Sequence, residues 1–208
     1  MKIQAERAAE LVRQLRARGI RDERVLRVIE VTPRAMFVGE EEAGAAFLDI
    51  ALPIACGQTI SQPFIVAYMT EQLDAGPTHD VLEIGTGSGY QAAVLAPLCR
   101  HVYTIERHPE LLEAAQARFD RLGLTNITAI AADGAKGWPE PRSFDRIIVT
   151  AAASELPRGL IAQLAEGGRM ILPVAGRLLG QKLVLVEKMG EGIRRRSLLP
   201  VRFVPLVS

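Results

Sequence analysis

The chain has 208 residues, of which 25 are basic and 24 acidic, and 49% of them are hydrophobic. This length and apolar content suit one globular domain with a large core, and the balanced charge disfavours a nucleic acid or an anionic membrane as partner. The two cysteines are isolated and lack metal-ligand spacing. The sequence shows no signal peptide and no run near the roughly 18 apolar residues of a membrane span. These features predict a cytoplasmic protein with free thiols and no metal.

The N-terminal segment is predicted to form two helices ahead of the main sheet. Apolar residues recur at helical spacing in two runs, the first ending at Gly19 and the second lying between Asp22 and Pro33. Glycine often follows the end of a helix, and aspartate is a favoured N-cap. Residues 34–62 read as irregular, and a third helix is predicted to begin at Pro63, because proline suits the first helical position.

From residue 80 onwards, apolar strands alternate with helices. The predicted strands and helices are, in chain order, 80–85, 88–98, 101–106, 109–123, 126–133, 144–151, 156–168 and 169–174. Such alternation favours a parallel, doubly wound sheet. Residues 181–189, 192–200 and 201–207 are β-rich with no helix between them, so we expect antiparallel or edge strands, and Pro205 limits the last one to an edge or a strand end.

These elements predict an α/β fold: a Rossmann-like, doubly wound, mostly parallel sheet with an N-terminal helical extension and a β-rich C-terminal edge. Residues 1–208 are predicted to form a single domain. Within it, residues 1–62 comprise the helical extension and a polar loop, residues 63–175 the α/β core, and residues 176–208 the C-terminal strands.

The segment VLEIGTGSGY, residues 81–90, combines an apolar strand, a glycine-rich turn and the start of a helix. Its glycines, Gly85, Gly87 and Gly89, allow a tight turn and a close approach of the backbone to a ligand. Their spacing is G-x-G-x-G, whereas the dinucleotide fingerprint is G-x-G-x-x-G and seats a pyrophosphate on a helix N-terminus. The different spacing suggests a different ligand.

Three acidic residues lie at the ends of successive strands, where open α/β sheets bind ligands. Glu106 can accept hydrogen bonds from both hydroxyls of a ribose, and Asp133 can accept one from an adenine amino group. Glu83 is expected to contact the ligand or the loop that holds it. A site for S-adenosylmethionine shares the ribose acid with an NAD site, but its ligand is a sulfonium cation without phosphate, so the acid-rich strand ends favour S-adenosylmethionine.

The segment LEIGTGSGY resembles the first motif of class I S-adenosylmethionine-dependent methyltransferases. The chain is more specifically similar to bacterial protein-L-isoaspartate O-methyltransferases, from about Val12 to Val207. This likeness rests on ALPIACGQTISQPFIVAYM, FDRIIVTAAASELP, LAEGGRMILPV and VRFVPLV. The glycine loop marks only the superfamily, whereas GQTISQP is the specific part. Ala55, where the family often has glycine, and PVAG, residues 173–176, where it has PVG, are local departures.

The resemblance implies a repair enzyme that uses S-adenosylmethionine to methylate L-isoaspartyl residues in damaged proteins and peptides. It implies that residues 59–62 lie where cofactor and substrate meet, with Ser61 as the active-site serine, and that Arg107 lies beside the ribose and Gly134 beside the adenine. An extended substrate is predicted to pair by strand addition near residues 201–207. The predicted cofactor-binding residues are Thr59, Ile60, Ser61, Gln62, Glu83, Gly85, Thr86, Gly87, Ser88, Gly89, Glu106, Arg107, Asp133 and Gly134. The predicted substrate-binding residues are Thr59, Ile60, Ser61, Val204, Pro205 and Leu206.

The expected reaction is displacement at the sulfonium methyl group by a carboxylate oxygen. A free carboxyl has a pKa of about 4 and is ionised at neutral pH, so no general base is needed, and catalysis rests on in-line placement and desolvation. We hypothesise that the Ser61 hydroxyl orients this carboxylate, because neither a histidine base nor a glycine elbow supports a serine nucleophile. The alternative is that Ser61 only caps the helix beginning at Pro63.

Three other functions are compatible with parts of the chain. A methyltransferase of the same fold acting on a small molecule or nucleic acid is disfavoured by the GQTISQP segment and the missing basic surface. A cofactor-binding module without catalysis is disfavoured by the presence of Ser61, Glu106 and Asp133. An NAD-dependent oxidoreductase is disfavoured by the glycine spacing.

Overall fold

The computed structural model describes residues 2–176, 180–190 and 192–207. The α-helices in these ranges are α1 (Lys2–Ala17), α2 (Glu23–Val31), α3 (Pro63–Leu73), α4 (Tyr90–Leu95), α5 (Pro109–Leu122) and α6 (Arg158–Gln163). The strands are β1 (Leu52–Pro53), β2 (Thr59–Ile60), β3 (Asp80–Ile84), β4 (His101–Glu106), β5 (Ile127–Ala131), β6 (Phe144–Val149), β7 (Leu164–Ala175), β8 (Gln181–Met189) and β9 (Gly192–Val201).

Seven strands form one sheet in the order β5-β4-β3-β6-β7-β8-β9. The strands from β5 to β7 in this order are parallel, and β8 and β9 are antiparallel to their neighbours. The predicted doubly wound α/β fold is therefore confirmed. Every residue of β3 is buried, which fits a central strand covered by helices on both faces. The carboxyl ends of β3, β4 and β5 meet at one edge of the sheet, where ligands of such folds bind.

The N-terminal helices pack against the polar loop and against the helix that follows the glycine loop. Helix α1 ends shortly before Gly19, whose φ is 103°, and the side chain of Asp22 caps α2 by accepting a hydrogen bond from the amide of Arg24 at 2.8 Å. The apolar faces of both helices belong to a buried cluster that also contains Ile60 and Tyr90. The extension thus packs directly on the loop before α3 and on the helix after the glycine loop.

Two predicted elements differ in the structure because of local backbone chemistry. The helix predicted over residues 156–168 ends at Gln163, and β7 begins at Leu164. Gly167 has a φ of 71°, which a helix does not accommodate. Residues 34–62, predicted to be irregular, contain the two-residue strands β1 and β2, which pair as a short antiparallel hairpin.

The C-terminal segment departs from the predicted third β-rich strand. Beyond Val201 it forms only an isolated bridge between Pro205 and Ala152. Proline has no amide hydrogen to donate to a ladder. The C-terminal edge strand of the sheet is therefore β9, with β5 at the other edge, and the described residues after β9 fold back over the carboxyl ends of the parallel strands.

Three further properties of the described part of the chain concern membrane-spanning helices, metal sites and cysteines. It contains no helix of the length and apolar character needed to cross a bilayer. It contains no group of three or more His, Cys, Asp or Glu side chains arranged to hold a metal ion. Both cysteines are free, with Cys56 exposed and Cys99 buried.

Candidate active site

A cleft of about 830 Å³, open to solvent, lies at the carboxyl ends of the parallel strands. The predicted site residues that line it are Thr59, Ile60, Ser61, Gly85, Thr86, Gly87, Ser88, Glu106, Arg107, Gly134, Val204, Pro205 and Leu206. Lining residues that the sequence analysis did not single out are Gln58, Val66, Ile84, Tyr90, Gln91, Ile105, His108, Thr150, Ala151 and Val207.

The glycine loop needs its glycines for two different reasons. Gly85 has a φ of 94°, and a Cβ there would lie 2.4 Å from the Thr150 hydroxyl oxygen, which donates a hydrogen bond to the Gly85 carbonyl at 2.7 Å. Gly89 has a φ of 88°, and a Cβ there would lie 2.8 Å from the Phe119 ring. Gly89 lies outside the cleft lining and lets α4 pack closely against α5, and its predicted contact with the ligand stays a prediction.

Glu106 holds the glycine loop and the end of β4 with both carboxylate oxygens. Its Oε2 accepts a hydrogen bond from the Gly87 amide at 2.8 Å, and its Oε1 accepts bonds from the amides of Arg107 and His108 at 2.9 and 3.0 Å. A carboxylate has about four lone-pair sites, so three amides leave about one free. Because Glu106 also lines the cleft, that remaining site is available to a ligand hydroxyl.

Glu83 lies behind the glycine loop and outside the cleft lining. Its side chain is fully buried, and its Oε2 accepts a hydrogen bond from the Thr104 hydroxyl at 2.5 Å. The Thr104 hydroxyl is in turn 2.7 Å from that of Thr86, in the loop. Glu83 therefore reaches the loop through one intervening hydroxyl, which is one of its two expected contacts, and its predicted contact with the ligand stays a prediction.

Asp133 follows β5 and caps a short turn instead of lining the cleft. Its Oδ1 accepts a hydrogen bond from the Ala135 amide at 3.0 Å, and its Oδ2 lies 3.4 Å from the Lys136 ammonium. The next residue, Gly134, does line the cleft, and a Cβ there would lie 2.4 Å from the Ile84 side chain. The structure thus brings Gly134 to the site and leaves Asp133 just outside the lining.

Ser61 lies on the wall between the cleft and a second cavity. The second cavity holds about 1000 Å³. Ser61 and Thr59 line both spaces. The other residues of the second cavity are Ala51, Gln62, Ile65 and residues 200–203. A group bound in the second cavity would therefore meet a ligand of the cleft at Ser61.

The cap of α3, the helix after Ser61, comes from a residue that is distant in sequence and not from Ser61. The N-cap position of α3 is Gln62, which makes no capping bond with its side chain. The Phe64 amide instead donates to Asp49 Oδ1 at 2.8 Å, and the Gln62 side-chain amide donates to the Asp49 carbonyl at 2.8 Å. Gln62 is thereby directed towards Asp49 and lines the second cavity, and its predicted contact with the cofactor stays a prediction.

Arg34 fixes the backbone of Ser61 from inside the protein. Its side chain has no exposed surface; Nη2 donates to the Ser61 carbonyl at 2.8 Å and Nε to the Ala46 carbonyl at 2.8 Å. The guanidinium lies over the Tyr90 ring, 4.6 Å from its centroid. Burial lowers the pKa of Arg34 and raises that of Tyr90. Neither Arg34 nor Asp49 stood out in the sequence, because each is a single polar residue in an irregular segment.

The C-terminal segment closes one side of the cleft with side chains while its backbone is already paired. The Ala152 amide donates to the Val204 carbonyl at 2.8 Å, and the Leu206 amide donates to the Ala152 carbonyl at 2.8 Å. An added strand would have to use other backbone groups of residues 201–207, and strand addition by the substrate there stays a prediction. Val204, Pro205 and Leu206 line the cleft.

The groups that line the cleft fit S-adenosylmethionine better than a phosphate ligand. Among the described residues, the only arginine or lysine that lines the cleft is Arg107, whereas a pyrophosphate calls for several cationic or amide donors. The Glu106 carboxylate has a free acceptor site for ribose, and the hydroxyls of Thr59, Ser61 and Ser88 are neutral. A cationic ligand without phosphate is compatible with this set.

Comparison with known proteins identifies the family. The family model described as protein-L-isoaspartate(D-aspartate) O-methyltransferase matches residues 6–208. The chain belongs to this family. A protein-L-isoaspartate O-methyltransferase of Parvibaculum lavamentivorans is 59% identical over 96% of this chain and 90% of the relative. One of Paramagnetospirillum magneticum is 53% identical over 100% of this chain and 98% of the relative.

Solved structures of the protein-L-isoaspartate O-methyltransferase family share the fold. One such structure superposes with a TM-score of 0.88 at 29% identity, over 97% of this chain and 66% of that chain. A Plasmodium falciparum protein described as a member of the family, solved in complex with S-adenosyl-L-homocysteine, superposes with a TM-score of 0.83 at 28% identity. It aligns over 95% of this chain and 97% of its own length.

Replacing Asp49 by alanine should release the loop before α3. The change removes the acceptor of the Phe64 amide, and loss of such a cap costs about 1 kcal/mol. We expect a lower free energy of unfolding in urea and faster hydrogen exchange of the amides of residues 59–64.

Asp22→Ala is the matched control, because Asp22 caps α2. It should destabilise by a similar amount and leave exchange in residues 59–64 unchanged. Equal exchange in that loop for both variants would contradict the assignment of Asp49 as its anchor.

Proposed function

We propose that the chain is a protein repair enzyme that transfers a methyl group from S-adenosylmethionine to the free carboxylate of L-isoaspartyl residues in damaged proteins and peptides. Membership of the protein-L-isoaspartate(D-aspartate) O-methyltransferase family supports the reaction class. The structural observation that carries the proposal is the position of Ser61 on the wall shared by the cleft and the second cavity. A cofactor in the one and a peptide in the other meet at this residue.

The protein has little covalent chemistry to perform. When bound, S-adenosylmethionine supplies an electrophilic methyl group and accepts the electron pair of the broken carbon–sulfur bond, leaving as neutral S-adenosylhomocysteine. The substrate carboxylate, ionised at neutral pH, forms the new oxygen–carbon bond, and no proton moves. Ser61 donates a hydrogen bond to one carboxylate oxygen and leaves the other free to attack in line. A neutral hydroxyl is suited to this task because it orients the anion without quenching its charge.

The cofactor is held mainly by the sheet edge. Glu106, with about one acceptor site left after its three amide bonds, binds a ribose hydroxyl, and Arg107 flanks it. Gly134 leaves room beside the adenine, while Asp133 supports the turn and reaches the adenine amino group only with a small movement from its cap position. The loop of Gly85 and Gly87 approaches the remainder of the cofactor with its backbone.

The peptide occupies the second cavity, between the loop of Ser61 and residues 200–203. Arg202 is its one arginine or lysine lining residue within the described ranges, and the rest of the wall is apolar or neutral. The side chains of Val204 to Leu206 separate this space from the cofactor. Such a site makes specific contacts with few side chains of the peptide. It therefore accepts damaged segments of many sequences, provided that they are flexible enough to enter.

A cytoplasmic location, a single-domain organisation and the absence of a nucleic-acid partner belong to this proposal. Two free cysteines are compatible with a reducing compartment. The formal net charge of +1 gives no strong field for nucleic acid.

The proposal is tested with a pair of peptides of identical sequence, one containing L-isoaspartate and the other normal aspartate. Incubation with methyl-labelled S-adenosylmethionine should label the isoaspartyl peptide and leave its aspartyl twin unlabelled. Label in neither peptide, or equal label in both, would overturn the proposed function.

Replacing Ser61 by alanine should lower turnover of the isoaspartyl peptide on the order of tenfold to a hundredfold, as expected for the loss of one hydrogen bond to a charged group. Affinity for S-adenosylhomocysteine, measured by calorimetry, should stay within about threefold, because the cofactor contacts lie mainly on the sheet edge. The unfolding free energy should change little, since Asp49 supplies the helix cap. The control is Ser154→Ala, at an exposed position. Turnover of Ser61→Ala at the wild-type rate would remove Ser61 from the mechanism.

A further inference from the structure

Glu83 is an acid without exposed surface in the centre of the sheet. It lies on β3 and is paired with Thr104 of β4 on one side and Ile148 of β6 on the other. Only one of its oxygens has a partner: Oε2 accepts from Thr104, while Oε1 has no hydrogen bond among the described residues. An ionised carboxylate in this position would leave a buried charged oxygen unpaired, which is far more costly than an unpaired neutral hydroxyl.

A chain of hydroxyls connects this acid to the cofactor loop. Thr104 gives its hydrogen to Glu83 at 2.5 Å. The Thr86 hydroxyl, 2.7 Å from that of Thr104, must therefore be the donor in their contact, because Thr104 has only one hydrogen to give. Thr104 is fully buried, and Thr86 lines the cleft. Hydrogen bonding thus runs from the loop into the sheet and ends on Glu83.

The charges around Glu83 also favour its neutral form. No arginine, lysine or histidine of the described residues forms an ion pair or hydrogen bond with it. The titratable group that bears on it is Glu106, a second acid under the same loop. Burial, followed by the charge of Glu106, raises the pKa of Glu83 to about 8, and the Thr104 bond only partly offsets this.

We propose that Glu83 is a positioning residue that works as a neutral acid, holding Thr86 and hence the glycine loop through Thr104. Its ionisation would place a second negative charge under a loop that Glu106 already anchors at Gly87, and would distort the loop against the sheet. The inference rests on the proposed function, in that the loop is taken to bind S-adenosylmethionine. It assigns Glu83 a role without any contact with that ligand.

The test compares wild type with Glu83→Gln, which keeps the acceptor for Thr104 and cannot ionise. The probe is S-adenosylhomocysteine, whose dissociation constant is measured by calorimetry between about pH 7 and pH 9. For a group with a pKa of about 8, the protonated fraction falls roughly tenfold over this range. The affinity of wild type should fall by about that factor relative to the affinity of Glu83→Gln, and titration of the probe cancels because it is common to both proteins.

Stability without any ligand gives an independent readout. The pKa of Glu83 in the folded protein is above its unfolded value of 4.5, so its contribution to stability is complete below that value and is lost as the pH rises towards about 8. The unfolding midpoint of Glu83→Gln should therefore rise relative to that of wild type across this window. Glu113→Gln, at an exposed position of α5, is the control and should run parallel to wild type.

Two outcomes would overturn the proposal. Parallel pH profiles of affinity for wild type and Glu83→Gln would show that ionisation of Glu83 does not reach the loop. A Glu83→Gln protein that folds but binds the probe weakly at every pH would show that the charge itself is needed.

If the variant does not fold, the carbon-13 carboxyl resonance of Glu83 in wild type decides: the proposal requires titration near pH 8, and titration near the ordinary value of about 4.3 contradicts it. Absence of probe binding by wild type would instead point to failure of the proposed function.

Discussion

The hydrogen bond from the buried Arg34 guanidinium to the Ser61 carbonyl is the contact on which the geometry of the site depends. Ser61 follows a strand of only two residues, β2, whose pairing with β1 cannot fix it alone. Arg34 holds the loop from inside, and Asp49 holds it at Phe64 and Gln62. Burying an arginine is unfavourable unless its donors are satisfied; backbone carbonyls satisfy Nε and Nη2 of Arg34, while Nη1 is buried without a partner among the described residues.

The number of buried charges is also limited on the cofactor side of the site. Glu106 is held by three backbone amides, which stabilise a carboxylate without a cation. Glu83, buried in the centre of the sheet, receives a single hydroxyl and fits the neutral form. Two acids under one loop are therefore distinguished by their hydrogen bonds, and the negative charge is concentrated at the acid that faces the ligand.

The sequence predicted the parts of the structure that depend on local pattern. The glycine loop, the start of α3 at Pro63 and the strand that ends at Glu106 each carry a signal within a few residues. Long-range polar contacts carry no such signal: Arg34 and Asp49 act on Ser61 and Phe64 from positions far along the chain. The paired backbone of residues 204–206 was also missed, because an apolar segment containing proline gives no indication of which strand end it will cover.

The central prediction is that the substrate carboxylate meets the cofactor at Ser61. The most direct measurement is a crystal structure of the protein with S-adenosylhomocysteine and an isoaspartyl peptide bound together. The free carboxylate should lie within about 3 Å of the Ser61 hydroxyl, with the peptide in the cavity bounded by residues 200–203. A carboxylate held elsewhere, with Ser61 in contact with neither molecule, would contradict it.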